Sequence, residues 1–385
     1  MTLRVAPADK LPRVGTTIFT VMSQLAAEHG AVNLGQGFPD FEPPPALIEA
    51  VARQMRAGRN QYAPMAGLPA LCEQIARKLM LTQGVTVDPG AEITVTAGGT
   101  EALFCAVQAA VAPGDEAILL EPAYDSYAPS IELAGGIARH VRLARPGFGI
   151  DWTALAAALS PRTRLVVINS PHNPSGALVP RGDLDRLAEL LRPTPALVLA
   201  DEVYEHLVYD GLQHDSVLAQ PELRERAFAV YSFGKTFNAT GWKLGYCVAA
   251  PALTTAFRRI HQYVTFAVNT PVQHALAEFL RDEPGFWRAL PAFYQARRDR
   301  FAALLAGSRL RLLPAHGTYF QLADHTAITA AGDREFCHEL VTRHGVAAIP
   351  LSALEHEPRG PGLLRFCFAK DDATLEQGAE RLRAL

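Results

Sequence analysis

Short apolar runs alternate with segments of helix length between residues 92 and 250 of the chain. The runs are EITVTA (92–97), AILLEP (117–122), RLVVINSP (164–171), ALVLADE (196–202) and FAVYSF (228–233). Strands that are covered on both faces are nearly continuous apolar runs, and helices between such strands favour parallel pairing. The pattern therefore predicts an α/β fold with a mainly parallel sheet between two layers of helices.

The two ends of the chain have a different pattern. After residue 275 long helical segments alternate with a few short strands, while the first 44 residues fit no strand-helix unit. A chain of 385 residues is also too long for one ordinary core. We predict a large domain over residues 45–275 and a smaller α+β domain built from residues 1–44 and 276–385.

Each apolar run ends in a turn that carries polar residues or glycine. The turns are Gly98-Gly99-Thr100, Glu121-Pro122-Ala123-Tyr124, Asn169-Ser170-Pro171-His172-Asn173, Asp201-Glu202-Val203-Tyr204 and Ser232-Phe233-Gly234-Lys235. Ligands bind at the carboxyl ends of the strands in open α/β sheets, so we expect these turns to border one crevice. The first turn also opens a predicted helix, whose free backbone N–H groups favour an anion such as phosphate.

Lys235 lies where the last of these runs ends. Most lysines are solvated surface charges, but a lysine in a turn after a buried strand is a candidate for function. The segment Gly234-Lys235-Thr236 is similar to the end of a nucleotide-binding P-loop, but that motif needs glycine where this chain has Ala229. Ser232 and Lys243 flank the lysine and could both contact one phosphate group.

Asp201 follows the apolar run ALVLA, which predicts that its carboxylate is buried. A buried carboxylate is costly without a partner, and a protonated ring nitrogen of a ligand would be a suitable one. A helix cap or a salt bridge is the ordinary alternative for a single aspartate.

Composition and charge narrow the classes of partner. With 49% hydrophobic and 19% charged residues, the chain has the composition of a globular protein. Its net charge of −3 provides no basic surface for nucleic acid or an acidic membrane, so small molecules are the expected ligands. The first residues lack the apolar centre of a signal peptide, and no run of about 18 apolar residues predicts a membrane span.

The five cysteines occur singly along the chain. They are Cys72, Cys105, Cys247, Cys337 and Cys367. No pair has the C-x-x-C spacing, which argues against a disulfide framework and against a zinc cluster. Isolated cysteines of this kind are small core residues, typical of the reducing cytoplasm. We therefore expect a cytoplasmic protein with no metal site.

Four motifs, in this order, resemble those of the class I aminotransferases, which are pyridoxal 5'-phosphate enzymes of fold type I. The motifs are NSPHNPSG (169–176), DEVY (201–204), SFGKTFNATGWKLGY (232–246) and LLRFCFAK (363–370). Asp201 and Lys235 lie 34 residues apart, and the resemblance covers nearly the whole chain. Four motifs in the order of the family are far more specific than any one alone. The resemblance implies a seven-stranded sheet in the large domain and pyridoxal 5'-phosphate as the cofactor.

The resemblance also implies three catalytic residues, Lys235, Asp201 and Tyr204, and two further residues that contact the cofactor. Lys235 would attach the cofactor covalently and would then move a proton between the substrate and the cofactor. Asp201 would keep the pyridine nitrogen of the cofactor protonated. Asn173 and Tyr204 would donate hydrogen bonds to the phenolic oxygen, and Tyr124 would stack on the ring.

Further residues are assigned to the phosphate and the substrate by the same resemblance. The phosphate ligands would be Gly99, Thr100, Ser232 and Lys243, together with Tyr62 from a second subunit. Tyr62 therefore predicts a homodimer with shared active sites. Arg365 would bind the substrate carboxylate as a bidentate fork, with Asn173 and the backbone at Gly37 beside it.

The preferred substrate depends on a side-chain pocket. The candidate pocket residues are Ile18, Phe19, Phe266, Tyr319 and Phe320, each of which could instead be a core residue. Gly234 and Lys243 replace the serine and arginine of many members, a pairing similar to the branch of kynurenine, glutamine and methionine transaminases. We expect transfer of the amino group of methionine, or of an aromatic or other apolar amino acid, to a 2-oxo acid.

Several alternatives remain open at this point. A carbon-sulfur β-lyase acting on cysteine conjugates, or a glutamine or kynurenine transaminase, would share these residues. A ligand sensor with this fold would carry a DNA-binding domain at its N-terminus, and the family match begins within about the first 20 residues, leaving no room for one. A vestigial cofactor site is the last alternative.

Overall fold

The structure is a computed structural model that describes residues 8–358, 360 and 362–385. Its strands are β1 (Val32–Asn33), β2 (Ile93–Thr96), β3 (Glu116–Glu121), β4 (Ile137–Arg142), β5 (Thr163–Asn169), β6 (Leu197–Asp201), β7 (Ala227–Ser232), β8 (Gly245–Ala249), β9 (Arg311–Leu312), β10 (Phe320–Asp324), β11 (Val346–Ala347), β12 (Ile349–Pro350) and β13 (Leu364–Cys367). Its α-helices are α1 (Ile18–Glu28), α2 (Pro45–Arg56), α3 (Pro69–Gln83), α4 (Gly98–Ala110), α5 (Tyr127–Leu133), α6 (Trp152–Ala158), α7 (Arg181–Leu191), α8 (Pro221–Arg224), α9 (Phe233–Thr236), α10 (Pro251–Val264), α11 (Thr270–Asp282), α12 (Leu290–Leu304), α13 (Asp333–His344) and α14 (Asp372–Arg383).

Seven strands form the central sheet, in the order β2-β8-β7-β6-β5-β3-β4. All neighbours are parallel except β8, which is antiparallel to both β2 and β7. The five apolar runs of the sequence form β2, β3, β5, β6 and β7, whereas β4 and β8 were not among them. The predicted α/β fold with a mainly parallel, seven-stranded sheet is confirmed.

Alternate residues of the central strands enter two apolar clusters on opposite faces of the sheet. In β6, for example, Val198 and Ala200 belong to one cluster and Leu199 to the other. All three side chains are fully buried. Side chains alternate across a strand with a period of two, so a continuous apolar run is needed where helices cover both faces. This explains why these strands could be predicted from the sequence.

Strands from the two ends of the chain form two smaller sheets. The parallel pair β1 and β11 joins residues 32–33 to residues 346–347. The second sheet is antiparallel, in the order β12-β13-β10-β9, and it places Arg365 of β13 opposite Leu322 of β10. The pair β1 and β11 thus joins the two ends of the chain, while the smaller domain and its boundaries remain a prediction.

The longest helices, α3 and α12, have 15 residues each. A helix needs about 20 apolar residues to cross the hydrocarbon core of a bilayer. Across the described ranges, no helix combines the length and the apolar character that a membrane crossing requires.

A close backbone approach joins the turn after β2 to the start of β8. A Cβ atom at Gly245 would lie 2.6 Å from the carbonyl oxygen of Tyr231 and 2.9 Å from the carbonyl carbon of Gly98. Both neighbours are backbone atoms that cannot move aside, so only glycine fits at this position. The glycine turn at residues 98–99 and the lysine turn after β7 therefore lie side by side, although they are far apart in sequence.

Candidate active site

A cavity of about 320 Å³ lies at the carboxyl ends of the central strands, within the usual size range of small-molecule sites. The sheet side of the cavity is lined by Gly98, Gly99, Thr100, Leu103, Tyr124, Asn169, Asn173, Asp201, Val203, Tyr204, Ser232, Gly234, Lys235, Thr240, Lys243 and Leu244. The other side is lined by Phe19, Gln36, Gly37, Phe320 and Arg365. Residues from all five predicted turns thus line one cavity, which the two chain ends cover.

The charges in the cavity wall are unbalanced. Among the described residues, Lys235, Lys243 and Arg365 are the cations of the wall, and Asp201 is its one carboxylate. In the part of the chain that the structure describes, none of the three cations forms a salt bridge with a carboxylate. Arg365 is buried and Lys235 is partly buried, whereas Lys243 is exposed. An excess of positive charge in a cavity favours the binding of anions. The cavity is therefore suited to a ligand, or a pair of ligands, with more than one anionic group.

Lys235 lies in the short helix α9, directly after β7, and its side chain is partly buried. Its Nζ atom donates hydrogen bonds to the hydroxyl oxygen of Tyr319, at 2.7 Å, and to the carbonyl oxygen of Gly37, at 3.2 Å. Burial lowers the pKa of Lys235 to about 8. A substantial fraction of the amine is therefore neutral near physiological pH, as nucleophilic and general-base chemistry require.

Asp201 ends β6 and is a buried residue of the cavity wall, with an exposed fraction of 4%. Burial raises the pKa of its carboxyl group to about 6. Its Oδ2 atom accepts a hydrogen bond from the hydroxyl of Tyr127 at 2.5 Å, and Oδ1 accepts one from the backbone N–H of Val203 at 3.3 Å. These donors favour the ionised form and oppose the effect of burial.

Tyr127 is a site residue that the sequence analysis did not identify. It begins helix α5 and is buried, with its ring 5.6 Å from that of Tyr124 in an edge-to-face arrangement. The only signal in the sequence was the spacing of three residues between the two tyrosines. Because it contacts Asp201 and not the cavity, only the structure could reveal this tyrosine.

Arg365 is buried in β13, with 1% of its surface exposed. Nη1 donates to Oδ1 of Asn173 at 2.9 Å, and Nη2 donates to the carbonyl oxygen of Gly35 at 3.0 Å. The guanidinium carbon lies 4.0 Å from the ring centroid of Phe320 and 5.0 Å from that of Phe19. Nε has no hydrogen-bond partner among the described residues. The aromatic rings fix the planar cation in position and leave donor capacity for a carboxylate.

The turn at residues 98–100 opens the 13-residue helix α4 into the cavity. Gly98 adopts φ +80°, a left-handed conformation that favours glycine. A Cβ atom at Gly98 would lie 3.5 Å from Nζ of Lys243, so the lysine ammonium faces the start of the helix. Helix N-termini bind anions through free N–H groups and the helix dipole, and the lysine adds a full positive charge. With Thr100 and Ser232 beside it, this end of the cavity is suited to a phosphate.

Ile18 and Tyr319 do not line this cavity, and neither do Tyr62 and Phe266. The exposed fractions of Tyr62 and Phe266 are 82% and 45%, and their rings contact each other edge to face at 5.4 Å. Tyr263 and Val264 are also exposed, and we call these four residues the aromatic patch. The roles predicted for Tyr62 and Phe266 therefore require the aromatic patch to meet a second subunit, and the homodimer remains a prediction.

One group of residues outside the cavity has the composition of a metal site. Glu101, Cys105 and His261 place one potential ligand atom each within 4.8 Å of one another. The Cys105 thiol donates to Glu101 at 3.0 Å, and His261 Nδ1 lies 2.8 Å from the same carboxylate oxygen. Burial, together with the neighbouring Glu101 carboxylate, raises the pKa of the thiol. The group is explained as a hydrogen-bonded cluster.

Comparison with known proteins identifies the family. The family model for aminotransferases of class I and II matches residues 29–382. A methionine aminotransferase from Escherichia coli is 52% identical over 98% of both chains, and the crystal structure of an E. coli methionine aminotransferase superimposes with a TM-score of 0.97, at 51% identity, over 99% of this chain and 100% of that one.

Two further relatives belong to the same family. The structure of N-succinyldiaminopimelate aminotransferase from Mycobacterium tuberculosis gives a TM-score of 0.94 at 41% identity, covering 98% of this chain and 100% of that one. Kynurenine–oxoglutarate transaminase 1 from Homo sapiens is 35% identical over 94% of this chain and 93% of that protein. The family predicted from the four motifs is confirmed: the chain belongs to the class I and II aminotransferases.

Proposed function

We propose that this aminotransferase uses pyridoxal 5'-phosphate to move the α-amino group of methionine, or of an aromatic or other apolar amino acid, to a 2-oxo acid. The observation that carries the proposal is the charge of the cavity wall. Among the described residues, the wall has three cations without a carboxylate partner and one buried carboxylate. A phosphate at the start of α4 and a substrate carboxylate at Arg365 would supply the missing anions. The third cation, Lys235, has the lowered pKa that covalent attachment requires.

The residues of the cavity fit the proposed cofactor. Its phosphate would be held by Gly99, Thr100, Ser232 and Lys243. Its ring would lie against Tyr124, with the ring nitrogen at Asp201 and the phenolic oxygen at Asn173 and Tyr204. The bound cofactor supplies a sink for the electrons that remain when a proton leaves the α-carbon of the substrate.

The side chains of the protein then bind the substrate and move the proton. Arg365 holds the carboxylate of the amino acid and so fixes the orientation of the α-carbon. Lys235, once displaced by the substrate amine, is the base with a suitable pKa in the cavity wall and the group that we assign to the proton at that carbon. Asp201 remains ionised because Tyr127 and the backbone at Val203 donate to it.

The choice of an apolar substrate has two supports. The wall near Arg365 includes the rings of Phe19 and Phe320. Among the described residues of this wall, every cation is already assigned, so a second substrate carboxylate would have no partner and would be costly to bury. The E. coli relative is a methionine aminotransferase, which supports the same class of substrate.

A screen of single amino acids tests the proposal. Each amino acid is added separately to the purified, cofactor-loaded protein, and the loss of absorbance of the lysine-bound cofactor is followed. We expect methionine and phenylalanine to react, and aspartate to react much more slowly. If only N-succinyldiaminopimelate or only kynurenine reacts, the protein has the substrate class of another relative and the proposed substrate is wrong. Release of pyruvate and ammonia from a cysteine conjugate, without amino transfer, would identify a β-lyase instead.

The Tyr127→Phe substitution is expected to shift the pH dependence of cofactor binding. Removal of the hydroxyl takes a donor from ionised Asp201, so its pKa rises further and the carboxylate is lost at a higher pH. In cofactor-free protein, the acid limb of pyridoxal phosphate affinity should move up by about one pH unit. The matched control is Tyr294→Phe. The hydroxyl of Tyr294 donates to Asn238 at 2.6 Å, and neither residue lines the cavity. An unchanged acid limb in Tyr127→Phe would contradict the role given to this tyrosine.

The Gly37→Ala substitution is expected to weaken substrate binding. An added Cβ would lie 3.0 Å from Cζ of Phe320 and 3.8 Å from Nη2 of Arg365, so the ring must move against the guanidinium. We expect the KM for methionine to rise about tenfold, with the spectrum of bound cofactor unchanged. Gly182→Ala is the control, because a Cβ there meets no atom within 4 Å. A KM equal to that of the control would show that the space at Gly37 is not needed.

We propose that the aromatic patch is the surface through which two copies share their active sites. Its four residues are large and apolar, and three of them are at least 48% exposed. The substitution Tyr62→Ala should weaken cofactor binding, whereas Leu212→Ala, at another exposed apolar position, should not. A monomeric protein with full activity would exclude shared sites.

A further inference from the structure

We propose that Tyr319 is a positioning residue, whose hydroxyl holds the side chain of Lys235 whenever that lysine is not attached to the cofactor. The inference rests on the proposed function of Lys235 and deepens it. The sequence analysis placed Tyr319 among side-chain pocket residues, but it is not in the cavity wall. Its ring is fully buried and its hydroxyl oxygen lies 2.7 Å from Nζ of Lys235.

The directions of the hydrogen bonds follow from the single proton of the hydroxyl. Tyr319 lies 2.6 Å from the carbonyl oxygen of Gly37, which can only accept, so the tyrosine proton points to Gly37. The tyrosine oxygen therefore accepts from Lys235, whose Nζ also donates to the carbonyl of Gly37 at 3.2 Å. Lys235 is thus held by two acceptors that are themselves hydrogen-bonded to each other. Both acceptors favour the ammonium form and oppose the effect of burial.

The surroundings of Tyr319 keep its hydroxyl in place. Its ring packs edge to face on Tyr204, at 5.2 Å, and on Phe320, at 4.9 Å. Its backbone carbonyl accepts from the N–H of Phe368 at 3.0 Å. The preceding carbonyl, of Thr318, accepts a hydrogen bond from the buried hydroxyl of Tyr209. A group that is fixed on all sides can define one position for a flexible lysine side chain.

The substitution Tyr319→Phe separates the hydroxyl from the ring. Lys235 Nζ lies 5.3 Å from the Tyr319 ring centroid, an attraction that phenylalanine retains. Only the acceptor at 2.7 Å is lost. Tyr294→Phe is the matched control, because it removes an equally buried hydroxyl, which donates to Asn238, without touching Lys235.

The test measures the covalent attachment of pyridoxal phosphate to Lys235 in cofactor-free, full-length protein as a function of pH. The rate follows the neutral amine, so its midpoint reports the pKa of Lys235. We expect the midpoint to fall by about one pH unit in Tyr319→Phe and to stay unchanged in Tyr294→Phe. With the loaded enzyme, kcat for methionine should fall about tenfold while KM stays constant, because the holder of the proton-transferring group is lost.

The outcomes separate this inference from the proposed function. If the wild-type protein forms no covalent bond between Lys235 and pyridoxal phosphate, the proposed function fails. If wild type attaches the cofactor but the midpoints of Tyr319→Phe and Tyr294→Phe coincide, only the positioning role fails. A higher KM for methionine in Tyr319→Phe, with the pH midpoint of cofactor attachment unchanged, would also overturn the positioning role. That result would assign Tyr319 to the side-chain pocket.

Discussion

Replacing Lys235 with alanine is expected to lower the rate of amino transfer by about 10⁴-fold or more, because one side chain supplies both the covalent anchor and the proton-transferring base. In the cavity wall no other basic group could replace it. Lys243 faces the start of α4, and the guanidinium of Arg365 is not a base at neutral pH. The measurement is kcat for methionine and a 2-oxo acid, together with the mass of the protein after reduction with borohydride.

The mass measurement makes the Lys235 prediction specific. Wild-type protein should carry one cofactor mass on Lys235 after reduction, and Lys235→Ala should carry none while still binding the cofactor reversibly. The control is Lys10→Ala, which removes an exposed lysine and should keep full activity. Activity of Lys235→Ala within tenfold of wild type would contradict the proposed mechanism.

The second large effect is expected at Arg365. In Arg365→Lys the positive charge is retained, but the planar fork is lost, and Asn173 and Gly35 lose donors that now lie at 2.9 and 3.0 Å. Loss of a buried, charge-assisted bidentate contact should lower kcat/KM about 10³-fold for every amino acid tested. Steady-state kinetics with methionine and phenylalanine provide the measurement.

Two control measurements distinguish the predicted effect of Arg365→Lys from a general loss of structure. The affinity for pyridoxal phosphate should stay near the wild-type value in Arg365→Lys, because the recorded contacts of Arg365 among the described residues include none of the proposed phosphate ligands. Arg13→Lys, at an exposed arginine paired with Glu132, should leave kinetics unchanged. If methionine keeps its wild-type kcat/KM in Arg365→Lys, the carboxylate is bound elsewhere.

Much of the fold and the site could be predicted because burial and periodicity act locally. The runs that became β5, β6 and β7 are buried on both faces, which requires an uninterrupted apolar sequence. Their polar turns reach one cavity because parallel strands end at the same edge of a sheet. For this reason Asp201 and Lys235 could be predicted as site residues from the sequence alone.

Other features depend on distant parts of the chain and could not be predicted. Strand β4 has exposed and half-buried positions, which give no apolar run. Strand β8 has the composition of a buried strand, but its sequence contains nothing that sets its antiparallel direction. The hydroxyls of Tyr127 and Tyr319 contact Asp201 and Lys235, which lie 74 and 84 positions away in the sequence. Contacts of this kind depend on the tertiary packing of whole elements.

The position of β8 in the sheet has a consequence for the order in which the protein folds. Of the strands that the structure describes, β2 pairs only with β8, which is the last strand of the central sheet in sequence. During synthesis, the turn at Gly98 therefore has no strand partner until residues 245–249 have left the ribosome. Pairing over such a separation is slow to form. We expect the phosphate end of the cavity to assemble last, so that a nascent chain gains affinity for the cofactor only after β8 has been inserted.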